Sequence, residues 1–257
     1  MAIRLKSPGE IELMRQAGIV VYRVLERLGE MIQPGVTSEE LDAEAARLTR
    51  QFGAEPLFKG VPGRGGPFPG TICTSFNEQV VHGIPSRRAV RDGDILSIDY
   101  GCRLNGYCGD AARTWMVGQP PPRVRRLVEV TQEALKIAVS VSGIGKLWSE
   151  VAGEMQRAVE AEGFAVVREF VGHGIGQAMH EDPKVPNFVS RELLARNIRL
   201  EEGLVLAVEP MVAMSSPEVV LERDGWTVVT RDRQPAAHFE HTLAFTAGGV
   251  RVLTGSE

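Results

Sequence analysis

The sequence predicts an α/β (α+β) fold, and three features of the chain support this class. First, 257 residues with 43% hydrophobic content can bury a sizeable core, as one domain or as two small ones. Second, capping boxes followed by apolar residues at helical spacing predict amphipathic helices near the N-terminus. Third, stretches that alternate and are rich in β-branched and aromatic residues predict strands.

Composition excludes several classes of function. The net charge of −4 argues against a general nucleic-acid-binding surface. No apolar run reaches the length of a membrane span, and MAIRLKSPGE at the N-terminus lacks the apolar region of a signal peptide. The three cysteines, Cys73, Cys102 and Cys108, cannot all pair and show no CxxC spacing. We therefore expect a cytoplasmic protein with no membrane partner and no specific nucleic-acid partner.

Two capping boxes predict the first two helices. Ser7-Pro8-Gly9-Glu10 places proline at the first helical position, and the apolar residues that follow predict a helix over 8–30. The second box, Thr37-Ser38-Glu39-Glu40, opens a helix that Gly53 ends. We expect both helices to be structural scaffold.

Residues 94–117, DILSIDYGCRLNGYCGDAARTWMV, predict a β-hairpin around Asn105-Gly106, the dipeptide that favours a type I′ turn. A two-residue turn fixes the register, so that Asp110 lies opposite Gly101. Because side chains alternate along a strand, Asp99 shares the face of Gly101 and is a diagonal neighbour of Asp110.

Two carboxylates on one strand face repel each other unless a proton or a metal lies between them. Two solvated aspartates on an exposed sheet are the simpler interpretation of Asp99 and Asp110. The neighbours that predict burial instead are Ile98, Tyr100, Ala111 and Trp115. Buried carboxylates need partners, so a metal site becomes the better interpretation once the second half of the chain is considered.

The remaining elements are predicted from apolar spacing and turn residues. The Gly/Pro-dense segment 60–70, GVPGRGGPFPG, has no nucleotide-binding motif and predicts a mobile flap or rim loop. One or two short strands precede His82-Gly83. Further helices are expected over about 123–141 and 146–162, and further strands over 164–171, from Gly203, over 236–247 and over 250–254.

The second half carries histidines and acids in glycine-rich or strand contexts. His173 lies within GHGIG, in the loop expected to leave the strand over 164–171. The small residues of this segment let the backbone approach a ligand closely, and His180 follows in the same loop. Glu209 is expected to end an apolar strand, and Glu240 to lie within one. Taken singly, each has a simpler interpretation as a packed histidine or a surface charge.

Taken together with the hairpin, these residues form a set suited to metal binding. Asp99, Asp110, Glu209 and Glu240 carry four negative charges, which two divalent cations would balance. With the imidazole of His173 they could hold two ions that share carboxylates, as in two-metal hydrolases. Such an oxygen-rich set suits Mn²⁺, Fe²⁺ or Co²⁺ at least as well as Zn²⁺.

Five motifs occur in order along nearly the whole chain: HGIPS, IDYG with NGYCGDAART, GHGIGQAMHEDP, VEPM and FEHT. In this order and spacing they resemble the type I methionine aminopeptidases of peptidase family M24, in their compact bacterial form. The resemblance implies the pita-bread (creatinase/aminopeptidase) fold, an antiparallel sheet with pseudo-twofold-related halves and helices packed on its outer face. It also implies a single catalytic domain over residues 1–257 and a monomer.

The resemblance further implies two divalent metal ions per chain, Co, Mn, Fe or Zn, with Asp110 and Glu240 bridging them. The implied ligands are Asp99, Asp110, His173, Glu209 and Glu240. A metal-bridging hydroxide would attack the first peptide bond, and Glu209 would act as proton shuttle. His82 and His180 would contact the substrate backbone and the tetrahedral intermediate.

The resemblance also implies an apolar pocket for the first side chain, and a thioether packs well on aromatic rings. The implied lining residues are Phe68, Cys73, Met179 and Trp226. Three positions depart from the family pattern. Met179 stands where phenylalanine is common, and Gly65-Gly66-Pro67 stands where an aromatic residue is common. His238, two residues before Glu240, has no role from the sequence beyond an indirect one behind the ligands.

The implied function is removal of the N-terminal methionine from nascent proteins and peptides with a small second residue, with the ribosome as a transient partner. One alternative is an Xaa-Pro aminopeptidase or prolidase-like activity, whose members share the five ligands but usually carry an additional N-terminal domain. Type II enzymes carry an inserted subdomain, for which Glu209–Glu240 is too short. The other alternative is a non-catalytic binding protein of the same fold, which would typically have lost ligands.

Overall fold

The computed structural model describes residues 3–256, and within them the chain forms five helices and fifteen strands. The helices are α1 (Pro8–Met31), α2 (Ser38–Gln51), α3 (Pro122–Val141), α4 (Trp148–Ala161) and α5 (Arg191–Ala195). The strands of the first half are β1 (Glu55–Pro56), β2 (Cys73–Phe76), β3 (Gln79–Val81), β4 (Ile95–Leu104) and β5 (Tyr107–Met116). Those of the second half are β6 (Ala165–Val166), β7 (Gly172–Gly174), β8 (Glu181–Val185), β9 (Val205–Val208), β10 (Met211–Ala213), β11 (Val219–Leu221), β12 (Val228–Thr230), β13 (Ala236–His238), β14 (His241–Thr246) and β15 (Gly249–Val252).

Both predicted capping boxes are present. The backbone N–H of Glu10 donates to the Ser7 hydroxyl at 3.3 Å, and the Glu10 carboxylate accepts from the Ser7 N–H at 2.8 Å. Thr37 and Glu40 make the same reciprocal pair at the start of α2. The predicted bounds of the four longer helices are confirmed to within two residues.

The hairpin formed by β4 and β5 is confirmed in its register and its turn. Asn105 and Gly106 have φ values of +52° and +82°, as a type I′ turn requires. Gly101 pairs with Asp110, as the two-residue turn predicts, so Asp99 and Asp110 lie diagonally on one face.

The helices of each half cover that half's strands with their apolar faces. Helices α1 and α2 pack on the hairpin through a core that includes the buried Ile98, Tyr100 and Ala111. Trp115, expected to be buried, is only partly buried, because it lies against Gly29 near the surface, under the Arg113 guanidinium. Helices α3 and α4 pack in the same way on the strands of the second half.

The strands form four antiparallel sheets. The first half contributes β1-β4-β2, with β5 on the other edge of β4, and the second contributes the five-stranded sheet β15-β14-β9-β7-β8. Two three-stranded sheets have the orders β13-β10-β6 and β11-β12-β3, and the latter joins a first-half strand to the second half. This is the pita-bread architecture expected from the sequence: antiparallel strands in two halves, with helices packed outside.

Hydrogen bonds join the two halves beside the hairpin. The Asp110 N–H donates to the Thr242 hydroxyl at 3.1 Å, and that hydroxyl donates back to the Asp110 carbonyl at 2.8 Å. The Glu240 N–H donates to the Ala112 carbonyl at 2.8 Å. The segment that carries Glu240 is therefore held against the strand that carries Asp110.

Three strand predictions in the second half are wrong in detail. The strand expected over 164–171 is reduced to Ala165–Val166, because the chain leaves the sheet at exposed residues 168–169. His173, expected in the loop after that strand, lies on its own short strand β7. The strand expected over 236–247 is broken, and Glu240 lies between β13 and β14, since its N–H bonds to Ala112.

No helix within residues 3–256 combines the length and the apolar character that crossing a membrane requires.

Candidate active site

One cavity of about 940 Å³ lies between the two halves, and every site residue expected from the sequence lines it. The charged and imidazole groups are Asp99, Asp110, His173, Glu209, Glu240, His82 and His180, and the pocket residues are Phe68, Cys73, Met179 and Trp226. The lining has two neighbouring parts: the acids and imidazoles, which we call the charged end, and an apolar cluster of side chains, which we call the apolar end.

The register of the hairpin places the first two carboxylates. Asp99 lies on β4 opposite Cys73 of β2, and Asp110 lies on β5 opposite Gly101. A Cβ atom at position 101 would stand 2.8 Å from Asp110 Oδ1 and 3.2 Å from the Phe58 ring. The glycine therefore makes room for the Asp110 side chain.

His173 points its Nε2 atom at two carboxylates. This atom lies 3.9 Å from Asp110 Oδ2 and 3.6 Å from Glu209 Oε1. The other ring nitrogen, Nδ1, lies 3.0 Å from the Gly174 carbonyl, an acceptor that requires an N–H at Nδ1. In the neutral ring Nε2 therefore carries a lone pair. This lone pair faces the lone pairs of the Asp110 and Glu209 carboxylates.

Glu209 and Glu240 are placed where strands stop. Glu209 directly follows β9, and Pro210 after it has no N–H with which to continue the ladder. The Asn187 side-chain amide donates to the Glu209 carbonyl at 3.0 Å and holds the main chain there. Glu240 sits in the break between β13 and β14 and is 2% exposed.

Burial changes the proton affinity of the whole cluster. It raises the pKa values of Asp99, Glu209 and Glu240 well above their usual range, with repulsion from neighbouring carboxylates adding to the effect. It also raises the pKa of Asp110 to about 7 and lowers that of His173 to about 4. The protein itself does not neutralise the negative charge that these acids carry when ionised. Within residues 3–256 their only ion-pair neighbours are histidines, whose rings are neutral near pH 7.

The donor set fits divalent cations. Buried oxygens of three acids, Asp99 Oδ1, Asp110 Oδ1 and Glu240 Oε1, have no hydrogen-bond partner in the described part of the chain. Ligand atoms of Asp110, His173 and Glu240 lie within 4.8 Å of one another, close enough for one ion to contact all three. Buried, unpaired carboxylate oxygens beside an imidazole lone pair are what a metal ion satisfies.

Two further imidazoles face the cavity. His82 adopts a φ of +59° directly after β3, and its ring meets Phe170 edge-on at 5.4 Å between centroids. Burial lowers the pKa of His82 to about 4, so the ring is neutral near pH 7. The His180 ring lies edge-on to that of His173 at 4.3 Å, and burial lowers its pKa as well.

The apolar end of the cavity adjoins the acids. Phe58, Phe68 and Cys73 are buried there, with Ile84, Met179 and Trp226 packed against them. The Phe68 and Trp226 rings meet edge-on at 5.1 Å. Burial and the nearby carboxylates raise the pKa of the Cys73 thiol well above its usual value, so it acts as an apolar wall at neutral pH.

The Gly/Pro-dense loop over 60–70 forms the rim of this apolar end. It has no helix or strand, as expected, and the Trp226 indole N–H donates to the Gly66 carbonyl at 2.9 Å. A side chain at Gly63 would overlap the Trp226 ring, and one at Gly65 would overlap the Asp224 carbonyl. These glycines let the loop lie directly on the turn that carries Trp226.

The cavity-lining residues that sequence reasoning missed include Arg4, Phe58 and Phe170. Phe58 lies two residues before the glycine-rich loop, and Phe170 lies three residues before His173, so proximity to a motif was the only local signal. His238 also lines the cavity and is 2% exposed, although no defined role was predicted for it.

Buried carboxylates and an inward-facing imidazole, opening on an apolar cavity, define a centre of the metallohydrolase class. Comparison with known proteins gives the family. A model of metallopeptidase family M24 matches residues 12–247. The chain belongs to this family and is a metal-dependent peptidase.

Individual relatives agree with this assignment. Methionine aminopeptidase 1 of Bacillus subtilis is 46% identical over 249 residues, which are 97% of this chain and 98% of that protein. The crystal structure of methionine aminopeptidase from Thermotoga maritima superposes with a TM-score of 0.93 at 39% identity, covering 99% of this chain and 100% of that one. Prolidase from Pyrococcus furiosus shares the fold at a TM-score of 0.77 and 24% identity, and the match covers 98% of this chain and 66% of that one.

Proposed function

We propose that this chain is a methionine aminopeptidase, which removes the N-terminal methionine from nascent polypeptides and peptides. One observation carries the proposal: the acidic cluster and the apolar cluster line one and the same cavity, and Cys73 of the apolar cluster pairs with Asp99 in the sheet. A first residue could therefore place its amine and peptide carbonyl at the cluster while its side chain fills the apolar end. The relatives that match along nearly the whole chain are named for the same activity.

The five residues of the cluster are the candidates to hold two divalent ions. The residues that would hold them are Asp99, Asp110, His173, Glu209 and Glu240. Their unpaired buried oxygens and the Nε2 lone pair of His173 support this assignment. When bound, such ions lower the pKa of a water molecule towards neutrality and polarise a peptide carbonyl.

The protein's own groups then handle protons and orientation. Glu209 lies at the cluster, with Oε1 3.6 Å from His173 Nε2, so its carboxylate is placed to accept a proton and pass it to the leaving amine. His180, beside His173, is placed to donate an N–H to the oxyanion that forms at the carbonyl. The neutral ring of His82 is placed to donate to the backbone of the substrate.

Specificity for the first residue follows from the apolar end. Phe68, Cys73, Met179 and Trp226 offer aromatic and sulfur surfaces, which suit an unbranched thioether side chain. We expect the free α-amine of the substrate to bind at the cluster, where Asp110 and Glu240 are buried, so that the enzyme acts from the N-terminus. We expect a small second residue to be preferred, because it must pass between the cluster and His82.

An Xaa-Pro peptidase activity is not favoured. The prolidase named above shares the fold, but this chain spans only two thirds of its length at 24% identity. Methionine aminopeptidases match at higher identity over essentially their whole length.

The test is release of free methionine from Met-Ala-Ser and Met-Lys-Ser by enzyme stripped of metal and reloaded with Mn²⁺, Fe²⁺, Co²⁺ or Zn²⁺. We expect metal-dependent release from Met-Ala-Ser, little release from Met-Lys-Ser, and loss of activity in Glu209→Gln. No release with any metal contradicts the proposal, and cleavage of Xaa-Pro peptides instead would select the alternative.

A further inference from the structure

A buried histidine that the mechanism above does not use faces one of its central groups. His238 ends strand β13, lines the cavity and is 2% exposed. Its Nε2 atom has no hydrogen-bond partner in the described residues and lies 3.9 Å from Glu209 Oε2. Burying a polar atom without a hydrogen-bond partner costs free energy. The orientation of the His238 ring, which points Nε2 into the cavity, therefore needs an explanation.

The backbone of His238 is fixed to the hairpin. Its N–H donates to the Thr114 hydroxyl at 3.0 Å, and the same hydroxyl donates to the His238 carbonyl at 2.8 Å. Ser97 Oγ lies 2.8 Å from that hydroxyl and extends the network into β4. The imidazole is therefore presented to the cavity from a rigid support, which also carries Asp99 and Asp110.

The Glu209 carboxylate lies between two imidazoles with different roles. Oε1 is 3.6 Å from His173 Nε2, and Oε2 is 3.9 Å from His238 Nε2. Because His173 uses its N–H at Nδ1 for the Gly174 carbonyl, its Nε2 offers a lone pair and cannot donate to Glu209. His238 is thus the ring of the two that is free to donate to this carboxylate.

We propose that His238 is a positioning residue for Glu209: its Nε2–H donates to Oε2 and keeps Oε1 turned towards His173 and the carboxylate cluster. The present separation exceeds a hydrogen bond by about 1 Å, a gap that a small rotation of the Glu209 side chain closes. The Asn187 amide holds the Glu209 main chain, so His238 supplies the orientation that remains free. The inference rests on the proposed function, because it assigns a support to the proposed proton shuttle.

The tautomer of His238 gives a test that needs no activity. Long-range ¹H–¹⁵N correlation spectra of labelled protein, metal-free and loaded with diamagnetic Zn²⁺, report which ring nitrogen carries the proton. The His238 signal is assigned by its loss in His238→Gln. In the Zn²⁺-loaded protein, where Glu209 is ionised, we expect Nε2 to be protonated, and a ring protonated there at Nδ1 with a bare Nε2 would overturn the proposal.

Two variants of similar size test the consequence. His238→Leu removes the donor, and His238→Gln retains an N–H donor in the same place. For His238→Leu we expect Mn²⁺ affinity by titration calorimetry and kcat on Met-Ala-Ser to fall about 10–100-fold, with KM nearly unchanged. His238→Gln should stay within about threefold of the wild type in both quantities.

The remaining outcomes are decisive as well. A folded His238→Leu protein with wild-type Mn²⁺ affinity and kcat overturns the proposal, as does a rise in KM alone, which would place His238 on the substrate. If His238→Leu does not fold, the tautomer in the wild-type protein decides. Inactivity of the metal-loaded wild type would count against the proposed function, whereas the tautomer and the Mn²⁺ affinity still report on His238.

Discussion

The two ends of the cavity are built in different ways. At the charged end, Asp99 and Asp110 are fixed by the register of β4 and β5, and backbone hydrogen bonds hold Glu240 to the same hairpin. At the apolar end, the walls come from an irregular loop and a turn, which meet through the Trp226 ring. Strand ladders and the points where strands end position the groups that do chemistry, and loop packing positions the groups that select the side chain.

This difference predicts separable consequences. Changes at the charged end should reduce metal binding and turnover for every substrate, since all substrates share the reaction. Changes at the apolar end should alter the choice of first residue while metal affinity stays constant. A variant at the apolar end that weakened metal binding, or one at the charged end that altered the choice of first residue, would show that the two ends are coupled.

The largest effect is expected for Asp110→Asn, which removes a negative charge from a position 4% exposed and near both His173 and Glu240. We expect kcat on Met-Ala-Ser to fall by about 1000-fold or more, because the loss of a shared ligand weakens both proposed metal positions. Steady-state kinetics at saturating Mn²⁺ measures this. Activity within tenfold of the wild type would exclude Asp110 as a ligand.

A smaller effect at the same end is expected for Thr242→Val, a nearly isosteric change. The Thr242 hydroxyl exchanges hydrogen bonds with the N–H and the carbonyl of Asp110, and its removal leaves both buried groups unpaired. We expect a loss of about 1–3 kcal/mol in the free energy of unfolding. Turnover should also fall about 10–100-fold, because Asp110 is then less well placed.

Denaturant unfolding and kinetics on the same preparation give both quantities for Thr242→Val. A destabilised protein with unchanged turnover would show that this bond joins the halves without positioning Asp110.

At the apolar end, Gly63→Ala should change substrate choice. An added methyl group would overlap the Trp226 ring and push the pocket wall. We expect kcat/KM for Met-Ala-Ser to fall about tenfold, as for loss of fit in a hydrophobic pocket, with Mn²⁺ affinity unchanged. Gly143→Ala is the matched control, because an added methyl group there meets nothing within 4 Å. Equal kinetics of the two variants would contradict the assigned role of the loop.

The smallest effect is a dependence of stability on pH at the charged end. Burial raises the pKa of Asp110 to about 7 and raises those of Asp99 and Glu240 well above their usual range. Below about pH 6.5 the buried histidines, whose pKa values are lowered, bind fewer protons in the folded protein and offset this effect. Above about pH 6.5 the acids alone make the folded, metal-free protein bind more protons than the unfolded chain, so its free energy of unfolding falls as pH rises from there through their folded pKa values.

Bound cations remove that penalty, so the rise in melting temperature caused by Mn²⁺ should be larger at pH 8 than at pH 6. Thermal melts with and without Mn²⁺ at the two pH values measure this difference. A larger rise at pH 6 would contradict the assigned shifts.

The sequence predicted the parts that depend on local signals. The turn residues Asn105-Gly106 and the alternation of side chains along the strands were enough to predict the register of the hairpin, and therefore the pairing of Gly101 with Asp110. Prediction from the sequence failed where long-range contacts determine the local structure. The break at Glu240 depends on a hydrogen bond to Ala112, more than 100 positions away, and no local pattern encodes it. Phe170 and Phe58 reach the cavity through tertiary packing, so their place there could not be read from spacing.

The most direct test of the central claim is titration of metal-free protein with Mn²⁺ in a calorimeter, for the wild type, Glu240→Gln and Trp226→Ala. The account predicts two Mn²⁺ ions per wild-type chain, loss of at least one of them in Glu240→Gln, and wild-type affinity and number in Trp226→Ala. Equal weakening in both variants would contradict the separation of the two ends, and full binding by Glu240→Gln would contradict the proposed metal centre.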